Sequence, residues 1–251
     1  MSLVELVREE GLAVITLDRP DKMNAMTTAM RRSLGALLDE VADDRQVKVV
    51  LIRANGRAFC AGADLSDRPD TPMAWRERIL LAQAHHLKII RMQKPVIAAV
   101  QGLAVGGGAS LAMACDVMLM ASDARLVFPF VRLGVVPDGG AAVLLQAKTS
   151  PAVALDVLLS AGEIGAGEAE RLGLTRRVVP PGDLDASARA LAAALLALPA
   201  DALMLTKSLI AQHWTTRLEA ALAHEAEAFA LATSTDDHRR AIEAVGRKTS
   251  N

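Results

Sequence analysis

Two turns rich in small residues could together bind a negatively charged oxygen. The first, GLAVGGG at residues 102–108, follows an apolar run typical of a buried strand and precedes a helix-like segment. Glycine lets backbone N–H groups approach a ligand closely, and a helix start adds a positive dipole end. The second, RAFCAGADL at residues 57–65, also follows a buried-strand pattern. One N–H group from each turn could form an oxyanion hole, although tight packing of a strand against a helix explains the first glycine cluster equally well.

Asp138 is a carboxylate that could act as a base or could cap a turn. It lies in the segment VVPDGG at residues 135–140. A carboxylate within reach of a carbonyl compound can remove and return a proton while the oxyanion hole stabilises the resulting charge. Aspartate between proline and a glycine pair is also a favoured turn or N-cap residue. The local sequence leaves both roles open, and one aspartate can fill both.

Other common functional motifs are missing from the sequence. The glycine turn lacks the G-x-G-x-x-G spacing of dinucleotide-binding folds and the Gly-Lys-Ser/Thr ending of a phosphate-binding loop. The cysteines, Cys60 and Cys115, have neither C-x-x-C nor metal-type spacing, which favours a reducing compartment and a fold without disulfides. Cys60 is interpreted as a small buried thiol. We therefore predict no metal site.

Composition favours a globular protein without nucleic-acid or membrane partners. The chain has 251 residues, of which 52% are apolar and only 2% aromatic, which suits one large domain and disfavours an all-β sandwich. Its 28 basic and 29 acidic residues give a formal net charge of −1, so no basic surface for nucleic acid or anionic lipid is expected. The first residues are acidic and carry no signal-like apolar stretch, so a cytoplasmic location is the expectation.

One uncharged segment, residues 96–115, is nominally long enough to span a bilayer. It contains Gln101 and three consecutive glycines, and its strand-like start changes character in the middle. We interpret it as a buried strand, a glycine turn and a buried helix.

The order of strand-like and helix-like patterns predicts an α/β core and a helical C-terminal region. Strand patterns occupy residues 12–17, 47–52, 96–100, 117–121 and 175–179. Helical patterns occupy residues 27–43, 73–92, 107–114, 151–160, 184–198, 201–214, 217–232 and 235–245. Their alternation favours mostly parallel strands. We expect a core over residues 1–195 and a helical region over residues 196–251.

Four segments in order resemble the crotonase (enoyl-CoA hydratase/isomerase) superfamily, closest in pattern to enoyl-CoA isomerases of the phenylacetate-pathway type. They are LDRPDKMNA at 17–25, AFCAGADL at 58–65, KPVIAAVQGLAVGGG at 94–108 and GVVPDGG at 134–140, and residues 166–177 resemble a later family element. The resemblance covers nearly the whole chain. It implies a ClpP-like spiral of ββα units with a helical C-terminal trimerisation region, and an assembly that is a homotrimer or hexamer.

The resemblance also implies a site for an acyl-CoA thioester. The backbone N–H groups of Ala63 and Gly107 match the family's oxyanion donors, and Asp138 matches a catalytic position. Positions matching the coenzyme A contacts are Lys22, Met23, Ala61, Asp64 and Leu65, and Asp64 could instead orient or cap its loop. Coenzyme A belongs to the substrate, so no separate cofactor is expected. Arg247 and Lys248 match a region where relatives place cations near coenzyme A phosphates, although a solvated tail explains them as well.

The residues favour isomerisation over hydration of a double bond. Family hydratases use two glutamates, and the matching positions here hold Ser110 and Phe130. Neither side chain is a useful base near neutral pH. Asp138 remains, and in similar isomerases an aspartate there moves a proton between C2 and C4 of the acyl chain. Phe130 would exclude water and raise the Asp138 pKa by desolvation.

Other readings stay open from sequence alone. A hydratase could recruit a different group, and dehalogenase relatives use an aspartate at the Asp138 position as a nucleophile together with a histidine and a tryptophan. Here Gln83 occupies the histidine position, with His85 and His86 nearby. A catalytically silent acyl-CoA-binding protein is the third alternative.

Overall fold

A computed structural model describes residues 3–249, except the side chains of residues 213, 214 and 245–249. The strands are β1 (Val4–Glu9), β2 (Leu12–Leu17), β3 (Val49–Ala54), β4 (Val96–Val100), β5 (Leu103–Val105), β6 (Val117–Ala121), β7 (Arg125–Val127), β8 (Glu163–Gly165) and β9 (Val178–Val179). The α-helices are α1 (Thr28–Asp43), α2 (Pro72–Arg91), α3 (Gly107–Ala114), α4 (Ala141–Lys148), α5 (Pro151–Leu159), α6 (Ala166–Arg171), α7 (Leu184–Leu196), α8 (Ala200–Thr233) and α9 (Asp236–Thr249).

The larger sheet has the strand order β1-β2-β3-β4-β6-β9. Only the β1–β2 hairpin is antiparallel, and every later pair in this sheet is parallel. A smaller sheet has the order β5-β7-β8, with β5 and β7 parallel. The predicted α/β layout with mostly parallel strands is confirmed.

The central strands are buried because helices cover the larger sheet. Every residue of β2 and β4 is buried, which explains their continuous apolar sequences. Helix α7 packs on β3, β4 and β6, while α1 packs against α2, and α2 against α3 and α8. Thr27 caps α1 and Thr71 caps α2, each accepting a backbone N–H in the first turn. The predicted core boundary at residue 195 falls at the end of α7.

The C-terminal region differs from the sequence prediction in one important respect. Residues 201–214 and 217–232 were expected to form two helices, and they lie in the single helix α8. Neither glycine nor proline interrupts this stretch. Thr215, at the expected break, donates its hydroxyl to the Ala211 carbonyl at 2.6 Å, so a β-branched residue is accommodated inside the helix.

Several shorter elements were predicted wrongly or missed. The strand expected at residues 175–179 is limited to β9, because the Thr175 hydroxyl bonds the Met118 carbonyl at 2.6 Å and accepts from the Arg177 N–H at 3.0 Å. The strand expected at residues 47–52 begins and ends two residues later. Elements without a sequence prediction are β1, β5, β7, β8 and α4, whereas α6 begins the segment at residues 166–177 that resembles a later family element.

The uncharged segment at residues 96–115 is part of the core. It forms β4, the short strand β5 and α3, as the strand-turn-helix interpretation predicted except for β5. Among the described residues, no single helix has the length and apolar composition to cross a bilayer. One sharply bent pair, Pro181–Leu196 with Ala200–Gln212, meets those two criteria together.

Candidate active site

The two small-residue turns lie side by side, joined by backbone hydrogen bonds. The Cys60 N–H donates to the Leu103 carbonyl at 3.1 Å, and the Val105 N–H donates to the Cys60 carbonyl at 2.8 Å. Gly108 packs directly on this junction, because a Cβ there would lie 2.4 Å from the Cys60 carbonyl oxygen. The chain segments that carry the two proposed oxyanion donors are therefore held in contact.

The N–H groups of Ala63 and Gly107 are both available to a ligand. Gly107 begins α3, where the helix itself offers its first N–H groups no acceptor. Around Ala63, the Met26 N–H donates to the Gly62 carbonyl and the Asp64 N–H donates to the Met26 carbonyl, while the Ala63 N–H has no acceptor among the described residues. Ala63 and Gly107 both line one cavity of about 240 Å³.

Asp138 is a buried carboxylate at the wall of this cavity. Its side chain faces the oxyanion turn, since a Cβ placed on Gly107 would lie 3.3 Å from Asp138 Oδ1. Oδ1 is buried and has no hydrogen-bond partner among the described residues. Burial raises the pKa of Asp138, against the opposing effect of the positive charges of Arg31 and Arg78. Its backbone carbonyl accepts the Ala141 N–H at 3.2 Å, so Asp138 also forms the turn before α4.

Ser110 and Phe130 occupy different places around Asp138. The Ser110 hydroxyl is fully buried and donates to the Asp138 carbonyl at 2.8 Å, so it braces the turn. Phe130 is buried and lines the cavity. Other apolar side chains that line it are Leu65, Trp75, Ile79, Leu133, Val135, Phe229 and Ile242. Most of the described side chains that line the cavity are thus apolar, and Asp138 is the one carboxylate among them.

The positions predicted to contact coenzyme A lie on the turn at residues 57–65 and on the loop bonded to it. The Ala61 N–H donates to the Met23 carbonyl at 2.9 Å, which joins this loop to the residues 22–23. Lys22 is exposed and Met23 adopts a left-handed conformation with φ of 49°. Ala61 and Leu65 line the cavity. Arg247 and Lys248 lie outside the residues whose side chains the structure describes.

The Asp64 side chain is committed to its own loop. It accepts the Ser66 N–H at 2.8 Å, the Ser66 hydroxyl at 2.7 Å and an Arg19 N–H at 2.5 Å. Burial alone would raise its pKa, but these hydrogen bonds and the Arg19 charge outweigh burial and lower the pKa to about 2. Asp64 therefore orients and caps the loop, which was one of its two predicted roles.

The α2 histidines do not face the cavity as bases. His86 Nδ1 pairs with the Gly139 carbonyl at 2.8 Å, and burial lowers the pKa of His86 to about 4 and that of His85 to about 3. Gln83 donates to the Leu222 carbonyl and to Glu225, each at 2.9 Å. Of the described histidines, His238 reaches the cavity wall, with Nδ1 at 2.9 Å from the Leu133 carbonyl oxygen.

Three charged residues near Asp138 were missed by the sequence analysis. Arg31 and Arg78 line the cavity, and each is only 4% exposed. Glu225, from α8, accepts the Gly140 N–H at 3.0 Å and so holds the turn that carries Asp138. The sequence pattern could have indicated Arg31, because it is a charged residue on the apolar face of α1 beside Met30 and Leu34. Glu225 lies too far along the chain for any local pattern to connect it with the turn.

Glu225 should make folding stability depend on pH. Burial, then the nearby Asp138 charge, raises its pKa from 4.5 to about 8 despite a hydrogen bond from Gln83. The folded protein then binds more protons than the unfolded chain, so stability falls as pH rises through that window. Glu225→Gln should remove this loss. As pH rises, the unfolding free energy of the variant minus that of the wild type should therefore increase by up to about 1.4 kcal/mol per pH unit.

Urea unfolding of both proteins at about pH 5 and about pH 8 measures this effect. Glu227→Gln is the matched control, because Glu227 lies on the same helix with its side chain 62% exposed. Parallel pH dependences for the Glu225 variant and the wild type would contradict the prediction.

Comparison with known proteins identifies what the chain is similar to. The enoyl-CoA hydratase/isomerase family model matches residues 7–250. A crotonyl-CoA hydratase of Syntrophomonas wolfei is 36% identical over 245 residues, covering 97% of this chain and 94% of its own. A 1,2-epoxyphenylacetyl-CoA isomerase of Escherichia coli is 33% identical over 250 residues, covering 96% and 94%.

The fold is likewise matched by solved structures. The crystal structure of an enoyl-CoA hydratase from Mycobacterium avium subsp. paratuberculosis superposes with a TM-score of 0.90 at 30% identity, covering 97% of this chain and 98% of that one. The superposition confirms the predicted fold class.

Proposed function

The chain belongs to the enoyl-CoA hydratase/isomerase family of the crotonase superfamily, and from this premise we propose that it shifts a double bond within an enoyl-CoA thioester. The observation that carries the proposal is that, among the described residues lining the cavity, Asp138 is the one carboxylate, its Oδ1 has no hydrogen-bond partner, and it lies beside Gly107, whose N–H group opens onto the same cavity as that of Ala63. An acyl-CoA thioester is the substrate class of the family.

In the proposed reaction the thioester oxygen accepts hydrogen bonds from the N–H groups of Ala63 and Gly107. Asp138 removes a proton from C2 of a 3-enoyl group, and the negative charge spreads over a dienolate stabilised by the two donors. The same carboxylic acid then returns the proton to C4, leaving the double bond between C2 and C3. A raised pKa suits a group that must both accept and return a proton.

Hydration is disfavoured because it needs one group to activate water for attack on C3 and a second group to deliver a proton to C2. Ser110 uses its hydroxyl on the Asp138 backbone, and Phe130 presents an apolar ring at the other hydratase position. Glu225 of α8 also reaches the turn, but it is bonded to Gln83 and Gly140 and does not line the cavity. A cavity with one carboxylate favours proton transfer within the substrate.

Incubation with 3-enoyl-CoA and, separately, with 2-enoyl-CoA tests the function by mass spectrometry of the products. Conversion of the 3-enoyl to the 2-enoyl thioester without a change of mass is the expected result, because isomerisation neither adds nor removes atoms. A gain of one water on 2-enoyl-CoA would replace the isomerase proposal with a hydratase, and binding without turnover across a panel of acyl chains would favour the silent binding protein.

We also propose that the chain assembles as a homotrimer or hexamer through the region at residues 196–251. Large apolar side chains on one helix, Leu205, Leu209 and Ile210, are 58%, 73% and 65% exposed in the single chain. Such exposure on a helix is typical of an interface. Sedimentation velocity gives the mass, and a monomer of 26.5 kDa would contradict the assembly.

A further inference from the structure

Arg31 is a buried cation that has no hydrogen-bond or ion-pair partner in the part of the chain that the structure describes. Its side chain makes no hydrogen bond or ion pair there, and Nε is fully buried. Arg31 projects from the buried face of α1 and reaches the cavity wall. A lone buried charge is costly to fold, so an unpaired guanidinium at a ligand cavity points to a partner that arrives with the ligand.

The rest of the cavity wall does not neutralise this charge. Arg78 also lines it, with its guanidinium 5.5 Å from the Trp75 ring and donating to the carbonyls of Met26 and Asp67 at 2.9 and 2.5 Å. Asp138 is the one carboxylate that lines the cavity among the described residues. Two guanidinium groups against one carboxylate leave an excess positive charge.

The neighbouring acidic side chains are occupied elsewhere. Asp64 pairs with Arg19 and Ser66, and it forms neither a hydrogen bond nor an ion pair with Arg31. Asp67 is exposed, and its carboxylate accepts the Thr28 N–H at 2.5 Å. Solvent screens Asp67 from the cavity, so it compensates the buried charge weakly.

Resting on the proposed function, we propose that this site prefers acyl-CoA thioesters whose acyl group carries a second carboxylate, and that Arg31 binds that carboxylate. Arginine pairs with a carboxylate through two parallel N–H donors, and such bonds are strong where water is excluded. The apolar side chains of the cavity contact the carbon chain between the thioester and the distal carboxylate. Asp138 stays beside the oxyanion turn, where the reacting carbons lie.

A binding measurement separates the substrate preference from catalysis. Saturated dicarboxylic acyl-CoA thioesters of increasing length and their uncharged terminal monoamides are titrated into the protein by calorimetry. The best-fitting diacid should bind the wild type roughly ten- to a hundredfold more tightly than its amide, because a buried hydrogen bond to a charged group contributes a free energy that corresponds to such a factor. Arg31→Met should bring this ratio close to one, and Arg31→Lys should restore part of it.

Two controls keep the result interpretable. Arg32→Met removes an exposed arginine from the same helix and should leave the diacid-to-amide ratio as in the wild type. Thermal unfolding of the ligand-free Arg31→Met protein should occur at or above the wild-type temperature, since the substitution breaks no hydrogen bond or ion pair and removes a buried charge whose burial outweighs its attraction to Asp138. A large loss of stability in that variant would reveal an internal partner for Arg31 and overturn the proposal.

The remaining outcomes are distinct from one another. Equal affinity of the wild type for diacid and amide at every length would overturn the carboxylate site while leaving the isomerase proposal intact. Equal weakening of both ligands by Arg31→Met would assign Arg31 to the electrostatics of Asp138 rather than to the acyl group. Absence of binding by any acyl-CoA would count against the proposed function itself.

Discussion

Replacement of Asp138 by asparagine should slow isomerisation by orders of magnitude while acyl-CoA binding is retained. The carboxamide has nearly the same shape but cannot accept a proton near neutral pH, so turnover should fall roughly 10²- to 10⁴-fold. Binding should persist, because the N–H groups of Ala63 and Gly107 and the apolar walls are unchanged. Oδ1 has no hydrogen-bond partner among the described residues, so the substitution breaks no bond.

Rates with 3-enoyl-CoA and calorimetric affinity for a saturated acyl-CoA measure the two properties separately. Asp123→Asn is the control, because Asp123 is exposed on a turn away from the cavity. Turnover by the Asp138 variant within a fewfold of the wild type would place the base elsewhere. Loss of affinity alone would make Asp138 a binding residue.

The pH dependence of turnover gives an independent check on the same carboxylate. Burial raises the pKa of Asp138. As pH falls, Asp138 should therefore lose its basic, ionised form at a higher pH than an ordinary aspartate does. The acid limb of kcat/KM should therefore lie above the ordinary range for aspartate, and the residual rate of the asparagine variant should lack that limb.

The parts of the fold that follow local patterns were predictable from the sequence. The β-branched run of β3 and the apolar runs of β2 and β4 predict buried parallel strands, because each strand is covered on both faces. The glycines of residues 102–108 predict a close approach of two backbones, and Gly108 makes that contact. Such features depend on residues close together in sequence.

The charged wall of the cavity depends on distant packing and could not be predicted in the same way. Arg31, Arg78 and Glu225 come from α1, α2 and α8, and only the tertiary fold brings them to the Asp138 turn. An arginine on the apolar face of α1 was a visible irregularity, but sequence alone does not reveal whether a buried cation has a partner. The continuity of α8 was missed because β-branched threonines have weak helix propensity, which packing against α2 overrides.

The second large effect is expected from Gly108→Ala, which should separate the two turns that form the oxyanion site. A Cβ at this position would lie 2.4 Å from the carbonyl oxygen, 2.8 Å from Cβ and 2.9 Å from Sγ of Cys60. Cys60 is fully buried and bonded to Leu103 and Val105 through its backbone. It cannot move without breaking those bonds, so the added methyl group must displace one turn from the other.

The displacement acts on catalysis because both proposed donors are close to the junction. Ala63 lies three residues after Cys60, and Gly107 immediately precedes Gly108. Misplacing one oxyanion donor costs about 10²- to 10³-fold in kcat, and overpacking costs about 1–3 kcal/mol of stability. We expect both losses in the folded variant, measured by 3-enoyl-CoA turnover and by urea unfolding.

Two comparisons show whether the backbone contact is the cause. Gly182→Ala should be nearly neutral, because a Cβ at Gly182 meets no atom within 4 Å. Adding Cys60→Ala to the Gly108 variant should not restore activity, since the nearest obstructing atom is the Cys60 carbonyl oxygen and not its sulfur. Full rescue by that second substitution would mean that the thiol alone obstructs the methyl group, and wild-type turnover in Gly108→Ala would mean that the contact between the turns does not position the oxyanion donors.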